Sequence, residues 1–443
     1  MARITVFGTG YLGATHAAGM AELGHEVIGV DIDAAKIESL SRGEVPFFEP
    51  GLPELLRAHV ESGRLRFTTD AVEAAEFADI HFIGVGTPQR KGEYAADLRF
   101  VDAVIDTLAP LLSRPAVIFG KSTVPVGTAA RLAARVRELA PVGDAAEVAW
   151  NPEFLREGFA VEDTLRPDRI VLGVDGDNPG RAEQVAREVY APILERDTPF
   201  IVTDLATAEL VKVSANAFLA TKISFINAIA EVCEVAGADV VQLADAIGYD
   251  DRIGRKFLGA GLGFGGGCLP KDIRAFMARA GELGVDQALT FLREVDAVNL
   301  RRREHVVEQA TALVGGNLHG ASIAVLGAAF KPNSDDVRDS PALDVAGRLH
   351  LSGAKVRVFD PQAMANAAKV FPTLTYADSV EEAVRGADLV IVATEWKEFR
   401  EADPAALGGL AAKRNVIDGR NCLPPQAWID AGWTYRGMGR FAS

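Results

Sequence analysis

The sequence predicts an α/β fold in which two related domains with parallel sheets are joined by a long central helix. Three observations predict this fold class. Short β-rich apolar runs alternate with helical stretches over about the first 200 residues, which is typical of βαβ units. The middle of the chain has no such runs, and the alternation returns at Ala321.

The N-terminal part of the chain is predicted to contain eight strands. Each apolar run is short and is followed by a turn or by a helical stretch. In a parallel sheet, crossover helices bury both faces of each strand, so the strands are mostly apolar. We therefore expect a parallel sheet covered by helices. The predicted strands are residues 4–7, 26–30, 66–69, 80–85, 117–119, 148–150, 170–174 and 200–203.

A long helix is predicted near the centre of the chain. From Leu205 to about Ala246 apolar residues recur at helical spacing, for example at Ile223, Ile226 and Ile229. This stretch separates the two regions of alternating strands and helices.

The two ends of the chain resemble each other. Residues 71–85 and residues 379–393 both predict a short helix, an Ala-Asp turn and a buried strand. Residues 4–31 and 323–360 both predict a strand, a glycine turn, a helix and a second strand that ends on an acid. We therefore predict two related α/β domains on either side of the helical middle.

Composition excludes several classes of protein. The chain has 443 residues, of which 49% are hydrophobic and 24% charged, close to the average of globular proteins. Its net charge of −15 argues against a surface that binds nucleic acid or an anionic membrane. The cysteines, Cys233, Cys268 and Cys422, are too few and too far apart for a disulfide framework or a paired-cysteine metal site.

We expect a cytoplasmic protein. The chain enters a strand directly after Met1, which leaves no room for a signal peptide. The longest stretch without an acidic residue, lysine or arginine, residues 309–330, is interrupted by glycines and does not predict a membrane span.

A glycine motif follows the first predicted strand. Gly8, Gly10 and Gly13 form the pattern GxGxxG. Such glycines permit a tight turn that brings a pyrophosphate to the N-terminus of a helix. Asp31 ends the next strand, 21 residues after Gly10, and its carboxylate favours NAD because it would repel the 2′-phosphate of NADP. A glycine turn that binds nothing is the alternative.

Three further segments begin where predicted strands end. They contain Thr87, residues 121–128 and residues 151–158. Ligands of open parallel sheets lie beyond the carboxyl ends of the strands, so these segments are candidates to line a cofactor cleft. Glu153 and Glu157 would share one face if their segment is helical. Ordinary helix caps are the alternative for each segment.

Lys212 and Asn216 lie four positions apart on the predicted central helix. An ammonium and an amide on one helix face can point at the same developing oxyanion. Alternatively, Lys212 extends past the core to solvent and Asn216 bonds to a neighbouring helix.

The segment 264–272, with the sequence Phe-Gly-Gly-Gly-Cys-Leu-Pro-Lys-Asp, is the most informative in the chain. Its proline predicts the first turn of a helix, which places Cys268 at the helix N-terminus with Lys271 close by. Both influences favour a thiolate, so we predict that Cys268 is a nucleophile. Asp272 is close enough to orient a lysine or a water. The other two cysteines are predicted to be inert.

Two loops of the second α/β domain carry cations. Lys331 and Arg338 lie in the polar turn of residues 327–341, and Arg420 follows the predicted strand at 415–417. Ammonium and guanidinium groups suit phosphates or sugar hydroxyls. The acidic centre of the first loop is more typical of a solvated cap, and we predict no metal site in the chain.

Taken in order, these motifs resemble those of the nucleotide-sugar dehydrogenases of the UDP-glucose/GDP-mannose dehydrogenase family, most closely its UDP-glucose 6-dehydrogenase members. The resemblance covers nearly the whole chain, through GTGYLG, STVPVGT, NPEFLREG, the Lys212/Asn216 helix, FGGGCLPKD, AAFKPNSDDVRDSP and DGR. One departure is Gly267, where the family usually has serine.

The resemblance also implies a domain plan. Residues 1–204 would form the NAD-binding Rossmann domain. Residues 205–303 would form a central helical and dimerisation domain that carries the cysteine loop. Residues 304–443 would form a Rossmann-like domain that binds the UDP of the sugar nucleotide.

The family pattern implies which residues contact each ligand. Those near NAD would be Gly8, Gly10, Leu12, Gly13, Asp31, Lys36, Thr87, Thr123, Glu157, Lys271 and Arg338. Those near the sugar nucleotide would be Glu153, Phe154, Leu155, Arg156, Glu157, Lys212, Asn216, Arg252, Phe257, Leu258, Gly259, Ala260, Gly261, Gly265, Lys331 and Arg420. Arg252 matches a family arginine that reaches the substrate from the neighbouring subunit of a homodimer.

The resemblance implies a four-electron oxidation of the C6 hydroxyl of UDP-glucose to the carboxylate of UDP-glucuronate, with two NADH produced. The intermediates would be a thiohemiacetal and a thioester on Cys268. Asp272 acting through water would remove the alcohol proton, and Glu153 or Asp272 would assist hydrolysis of the thioester. The catalytic residues would be Cys268, Lys212, Asn216, Asp272, Thr123 and Glu153.

Several alternatives stay open. The same chemistry could act on TDP-glucose, GDP-mannose or an N-acetylated UDP-sugar, although residues 251–258 favour UDP-glucose over the last two. A two-electron hydroxyacid dehydrogenase of similar domain plan would not need the cysteine loop. An inactive NAD-binding scaffold is the non-enzyme alternative, and the presence of Cys268, Lys212 and Asp272 together argues against it.

Overall fold

A computed structural model describes residues 1–176 and 180–440. The chain forms two compact units. The first comprises Met1–Ala215 and Arg274–Leu283, and the second comprises Asn216–Ile273 and Gly284–Ser443.

The first unit is built on an eight-stranded sheet with the order β3-β2-β1-β4-β5-β6-β7-β8. All neighbouring strands are parallel except β6 and β7, which meet in one antiparallel pair, Trp150 with Gly173. The eight predicted strands are confirmed, with ends that differ by no more than two residues. The strands are β1 Arg3–Phe7, β2 Glu26–Val30, β3 Leu65–Thr68, β4 Ile80–Ile83, β5 Ala116–Gly120, β6 Ala146–Trp150, β7 Ile170–Val174 and β8 Phe200–Asp204.

Helices cover both faces of this sheet. Adjacent residues of a strand point to opposite faces, and accordingly Val6 belongs to one buried core and Phe7 to another. The helices are α1 Tyr11–Glu22, α2 Ala34–Ser41, α3 Leu52–Glu61, α4 Ala71–Phe77, α5 Arg99–Leu108, α6 Thr128–Leu139, α7 Ala160–Leu165, α8 Ala182–Val189 and α9 Ala191–Leu194.

The predicted central helix is present as α10, Leu205–Ala236, with 32 residues. It ends before the predicted Ala246 because Gly237 adopts φ of +72°, a left-handed conformation that terminates helices. The middle of the chain continues with α11 Val240–Gly248, α12 Leu269–Glu282 and α13 Phe291–Leu313. Pro270 occupies the first turn of α12, as its sequence position predicts.

The second unit contains a six-stranded parallel sheet with the order β11-β10-β9-β12-β13-β14. This order repeats that of β3-β2-β1-β4-β5-β6, which confirms the predicted relation between the two α/β regions. The strands are β9 Ser322–Leu326, β10 Lys355–Phe359, β11 Thr375–Tyr376, β12 Leu389–Val392, β13 Asn415–Asp418 and β14 Thr434–Gly437. The accompanying helices are α14 Pro341–Leu351, α15 Met364–Val370, α16 Val380–Val384, α17 Lys397–Arg400, α18 Pro404–Leu410 and α19 Pro425–Asp430.

In each sheet the first three strands follow one another toward one edge. The fourth strand then pairs with the other side of the first strand, so the strand order reverses there. A reversal of this kind opens a crevice at the carboxyl ends of the two central strands. Within residues 1–176 and 180–440, no helix combines the length and the apolarity needed to cross a membrane.

Replacing Ile391 with Ala should destabilise the second unit. Ile391 lies in β12 and is 0% exposed, so the substitution leaves a cavity that should lower the free energy of unfolding by about 2–5 kcal/mol. Urea unfolding followed by tryptophan fluorescence measures the change, because Trp396, Trp428 and Trp433 belong to the same core. Leu351→Ala is the control, since Leu351 is 87% exposed and should change stability by less than about 0.5 kcal/mol. Equal losses in the two variants would contradict the assigned core.

Candidate active site

The glycine motif forms the turn between β1 and α1. A Cβ on Gly13 would lie 1.7 Å from the carbonyl oxygen of Gly8, so α1 approaches β1 this closely because position 13 is glycine. Among the described residues, no atom lies within 4 Å of the place where a Cβ on Gly10 would be. The turn is therefore packed on its inner side and open at Gly10.

This turn suits the pyrophosphate of a dinucleotide. In the described part of the chain, α1 begins at Tyr11 without a side-chain cap and without an acid in its first turn, where Leu12 is the second residue. Its first backbone N–H groups remain available as donors, and the helix dipole favours a negative charge at this end. The residues present fit NAD.

Asp31 follows β2 and is held against the glycine turn. Its Oδ2 accepts hydrogen bonds from the backbone N–H of Thr9 at 2.8 Å and from Nζ of Lys36 at 2.9 Å. Burial acts to raise the pKa of Asp31, but these hydrogen bonds outweigh burial and hold the pKa below its ordinary value. Its Oδ1 accepts from the backbone N–H of Asp33 at 3.1 Å and, with two lone pairs, can accept a ribose hydroxyl as well.

The two predicted threonines lie together beyond β4 and β5. Thr87 is buried, and its hydroxyl donates to the carbonyl oxygen of Thr123 at 2.7 Å. This bond joins the segments that follow the two strands, as expected for residues at one edge of a parallel sheet.

The segment after β6 is a loop. Residues 151–156 have no regular secondary structure, and the next helix begins at Ala160. The Glu153 carboxylate bonds within this loop, where its Oε1 accepts from the backbone N–H of Phe154 at 2.8 Å and of Leu155 at 3.0 Å. The two acids of this segment therefore do not share a helix face.

Cations surround the side chains of this loop. The ring centre of Phe154 lies 4.0 Å from the guanidinium carbon of Arg169 and 5.4 Å from Nζ of Lys212. Arg156 donates to the carboxylate of Asp163 at 2.6 Å. Lys212 thus reaches from α10 to the predicted substrate loop.

Sequence reasoning missed Glu49, which is buried. Its carboxylate accepts from the hydroxyl of Tyr11 and from the backbone N–H groups of Gly158 at 2.6 Å and Ala160 at 2.7 Å. Burial and the carboxylate of Glu49 raise the pKa of Tyr11, with a smaller contribution from Glu157. Glu49 therefore links the glycine motif to the loop after β6. The available signal was an acid inside the otherwise apolar run Val-Pro-Phe-Phe-Glu-Pro.

In the second unit, Asn216 and Asp272 lie together. Nδ2 of Asn216 donates to Oδ2 of Asp272 at 2.6 Å, and Nζ of Lys271 donates to Oδ1 at 2.6 Å. Asp272 is 2% exposed, so both oxygens of a buried carboxylate are held by residues that the sequence nominated for the site. This arrangement orients the amide, the carboxylate and the ammonium with respect to one another.

Cys268 immediately precedes α12 and is exposed. Its carbonyl oxygen accepts from the backbone N–H of Asp272 at 2.9 Å, the first hydrogen bond of this helical segment. The thiol therefore lies at the N-terminus of a 14-residue helix, whose dipole favours a thiolate. Burial raises the pKa of Cys233 and of Cys422, which keeps these two thiols protonated.

The loop before Cys268 passes close to other backbone segments. A Cβ on Gly261 would lie 2.6 Å from the carbonyl oxygen of Gly419, and a Cβ on Gly265 would lie 2.2 Å from that of Asp339. Glycine is required for both approaches. Phe257 begins the loop with φ of +66°. Between Phe257 and Gly261 lie Leu258, Gly259 and Ala260.

Gly267 lies against Arg338. A Cβ on Gly267 would be 2.3 Å from Cζ of Arg338, whose guanidinium donates to the carboxylate of Asp336 at 2.7 Å. Glycine at this position thus leaves space for this guanidinium beside the cysteine loop. Lys331, in the same turn, places its Nζ 5.3 Å from the ring centre of Phe330.

Two further predicted arginines have different settings. Arg420 donates to the carbonyl oxygens of Ala393 at 2.9 Å and Gly263 at 2.8 Å, so its guanidinium holds the glycine-rich loop. The side chain of Arg252 is 88% exposed and pairs with Asp250 at 2.6 Å.

Two Rossmann sheets, a glycine turn that fits a dinucleotide and an exposed cysteine at a helix N-terminus define a nucleotide-binding oxidoreductase. Residues 2–194 match the NAD binding domain of the UDP-glucose/GDP-mannose dehydrogenase family, residues 206–301 its central domain and residues 324–425 its UDP binding domain. The chain belongs to this family, and NAD is its cofactor.

Individual relatives agree with the family match. The chain is 44% identical over 438 residues to the UDP-glucose 6-dehydrogenase of Rhizobium meliloti (strain 1021), covering 99% of each. It is 41% identical over 441 residues to the UDP-glucose 6-dehydrogenase YwqF of Bacillus subtilis (strain 168), covering 99% of this chain and 98% of the relative. The solved structure of a UDP-glucose dehydrogenase from Pyrobaculum islandicum matches with a TM-score of 0.91 at 39% identity, over 100% of this chain and 98% of that one.

Replacing Gly13 with Ala should weaken NAD binding. The added Cβ would collide with the backbone of Gly8 and displace the turn, so we expect the Kd for NAD⁺ to rise by about tenfold or more. Isothermal titration calorimetry measures the change. Gly281→Ala is the matched control, because in the described residues no atom lies within 4 Å of a Cβ at that position. An unchanged Kd in Gly13→Ala would show that this turn does not bind the cofactor.

Proposed function

We propose that this protein is an NAD-dependent UDP-glucose 6-dehydrogenase, which oxidises the C6 hydroxyl of UDP-glucose to the carboxylate of UDP-glucuronate. The observation that carries the proposal is Cys268 at the start of α12, in a chain with both an NAD and a UDP binding domain. An alcohol can be oxidised to an aldehyde without a nucleophile. An aldehyde has no alkoxide from which a second hydride can depart, so oxidation to an acid requires one.

When bound, NAD⁺ supplies the hydride acceptor for both oxidations. The carboxylate of Asp31, close to the glycine turn, favours NAD over NADP. We assign the cofactor contacts to Gly8, Gly10, Leu12, Gly13, Asp31, Lys36, Thr87, Thr123, Glu157, Lys271 and Arg338.

For the first oxidation, we assign removal of the hydroxyl proton to Asp272 acting through a water, with Lys212 and Thr123 near the reacting oxygen. The amide of Asn216 and the ammonium of Lys271 support this role, since each holds one oxygen of the Asp272 carboxylate.

For the second oxidation, the thiolate of Cys268 adds to the aldehyde carbon and forms a C–S bond. Lys212 and Asn216 stabilise the resulting oxyanion. Departure of the second hydride leaves a thioester. A water then adds to the acyl carbon, with Glu153 or Asp272 as its base, and the sulfur leaves as a thiolate.

Among the sugar nucleotides that members of the family oxidise, UDP-glucose is favoured as the substrate. Relatives named UDP-glucose 6-dehydrogenase are 44% and 41% identical to the chain. The structure of a UDP-D-ManNAc dehydrogenase from Pyrococcus horikoshii and that of a GDP-mannose dehydrogenase are each 28% identical. We assign sugar-nucleotide contacts to residues 153–157, Lys212, Asn216, Arg252, residues 257–261, Gly265, Lys331 and Arg420.

We also propose that the protein is a cytoplasmic homodimer. Phe218, Phe225 and Val232 recur every seven residues along α10 and are 66%, 51% and 61% exposed. An apolar stripe of this kind on a long helix is typical of a protein interface. The exposed side chain of Arg252 supports a role of this residue toward a neighbouring subunit. The domain plan of residues 1–204, 205–303 and 304–443 belongs to the same proposal.

The reaction should yield two NADH for each UDP-glucose consumed, measured by absorbance against chromatographic quantitation of the sugar. Cys268→Ser should trap a slowly hydrolysed ester, visible by intact mass spectrometry, because an alkoxide is a poorer leaving group than a thiolate. Cys422→Ala is the control and should retain activity. A persistent ratio of one NADH, or full turnover to the acid by Cys268→Ala, would disprove the covalent route.

The two inactive variants Cys268→Ala and Arg252→Ala should complement each other when co-expressed. In a heterodimer, one site combines an intact Cys268 with an intact Arg252 from the partner, so about a quarter of all sites should be active. The measured quantity is kcat per site in the purified mixture. Lys212→Ala in place of Arg252→Ala is the control pairing, because Lys212 and Cys268 are assigned to the site of one and the same subunit and this mixture should gain no activity. If Arg252 serves its own subunit, the first mixture gains no activity.

A further inference from the structure

Lys121 is a buried lysine to which the proposed reaction assigns no role. It follows β5 directly and is 5% exposed. A buried ammonium costs several kcal/mol unless its charge is paired and its donors are satisfied. Its position beside the candidate site therefore requires specific partners.

The ammonium of Lys121 has three such partners. Its Nζ lies 3.0 Å from Oε2 of Glu153, 3.0 Å from Oδ1 of Asn151 and 3.4 Å from the hydroxyl of Tyr190. These three acceptors match the three N–H bonds of an ammonium.

The partners are themselves fixed. The hydroxyl of Tyr190 donates to Oδ1 of Asn151 at 2.7 Å, and Nδ2 of Asn151 donates to the carbonyl oxygen of Val171 at 2.8 Å. Val171 lies in β7, so the network is anchored to the sheet. Two of the three partners of Lys121 are therefore held by groups other than Glu153.

Glu153, in contrast, lies on a loop. Its Oε1 accepts from two backbone N–H groups of that loop, and its Oε2 pairs with Lys121. The contact with Lys121 joins this carboxylate to the sheet. The Glu153 side chain is 17% exposed, whereas that of Asp272 is 2% exposed, so water reaches Glu153 more readily.

The charges around Lys121 are consistent with a permanent cation. Burial favours the neutral lysine, but the carboxylate of Glu153 and the hydroxyl of Tyr190 outweigh it and raise the pKa of Lys121 above its ordinary value. Burial and the charge of Lys121 lower the pKa of His16 well below its usual range, which leaves that neighbour neutral. Burial raises the pKa of Tyr190.

We propose that Lys121 is a positioning residue that holds the carboxylate of Glu153 as the base for thioester hydrolysis. The inference rests on the proposed function and selects Glu153 over Asp272 for this step. In it, Glu153 takes a proton from water as the water oxygen bonds to the acyl carbon. The C–S bond breaks, the sulfur leaves with the electron pair as the thiolate of Cys268, and the acid loses its proton to solvent.

Lys121→Met tests the proposal, because methionine has a similar length and no charge. Stopped-flow absorbance should still show two NADH per site in the first turnover, followed by a steady-state kcat about 100-fold below that of the wild type. Intact mass should show the acyl adduct on the variant. Lys121→Arg should restore part of the hydrolysis rate.

Tyr190→Phe is the matched control. It removes one hydrogen-bond partner of Lys121 but retains the pair between Lys121 and Glu153, so kcat should fall less than about threefold. If Lys121→Met does not fold because Glu153 is left unpaired, a second variant still tests the proposal. The double variant Lys121→Met/Glu153→Gln removes both charges, and it should have the same kcat as Glu153→Gln alone.

Three results would overturn the inference. The first is that Lys121→Met keeps the wild-type kcat and shows no acyl adduct. The second is that Lys121→Met loses first-turnover NADH to the same extent as it loses kcat. The third is that the double variant has a lower kcat than Glu153→Gln. If the wild type reduces no NAD⁺ with UDP-glucose, the proposed function itself fails. If the wild type forms two NADH and Lys121→Met forms no adduct, the inference about Lys121 alone fails.

Discussion

Parallel strands end at the same edge of a sheet, and this constraint positions most of the candidate site in the first unit. The glycine turn follows β1, Asp31 follows β2, and residues 121–123 and 151–157 follow β5 and β6. The strand order reverses between β1 and β4, which opens a crevice at their carboxyl ends. The close approach of Gly13 to the backbone of Gly8, directly after β1, lets α1 begin at that crevice. The site in this unit therefore depends on the topology of the sheet more than on any single motif.

The two sheets repeat one strand order, yet the acid after the second strand of each has a different setting. Asp31 is held by Thr9 and Lys36 and keeps capacity for a ribose hydroxyl. Asp360 is 1% exposed and accepts from the backbone N–H groups of Ala328 and Ala329, in the turn after β9, and from the indole of Trp396. The acid after the second strand therefore holds the turn after the first strand in both sheets, and in the second sheet it is also bound by the Trp396 indole.

Buried charges occur in matched groups. Lys121 pairs with Glu153, Lys271 with Asp272, and the fully buried Arg302 lies 3.4 Å from Glu234. Removing one member of such a pair leaves an uncompensated charge in a low dielectric, which costs about 3–5 kcal/mol. In the first two pairs the acid is a candidate base for the reaction. In a chain with a net charge of −15, lysines thus fix the orientation of two of the least exposed carboxylates.

The sequence by itself determined the strands, the repeated α/β plan, the glycine turn and the helix start at Cys268. These features depend on periodicity, on glycine conformation and on helix-start signals that act within a few residues. Only the tertiary structure decided that Asn216 meets Asp272, 56 residues away, and that Glu49 binds Gly158, 109 residues away. It also decided that residues 151–156 form a loop, in which the carboxylate of Glu153 binds local N–H groups and pairs with Lys121 through its other oxygen. Which buried acid meets which donor depends on how separate elements pack, and no local pattern carries that information.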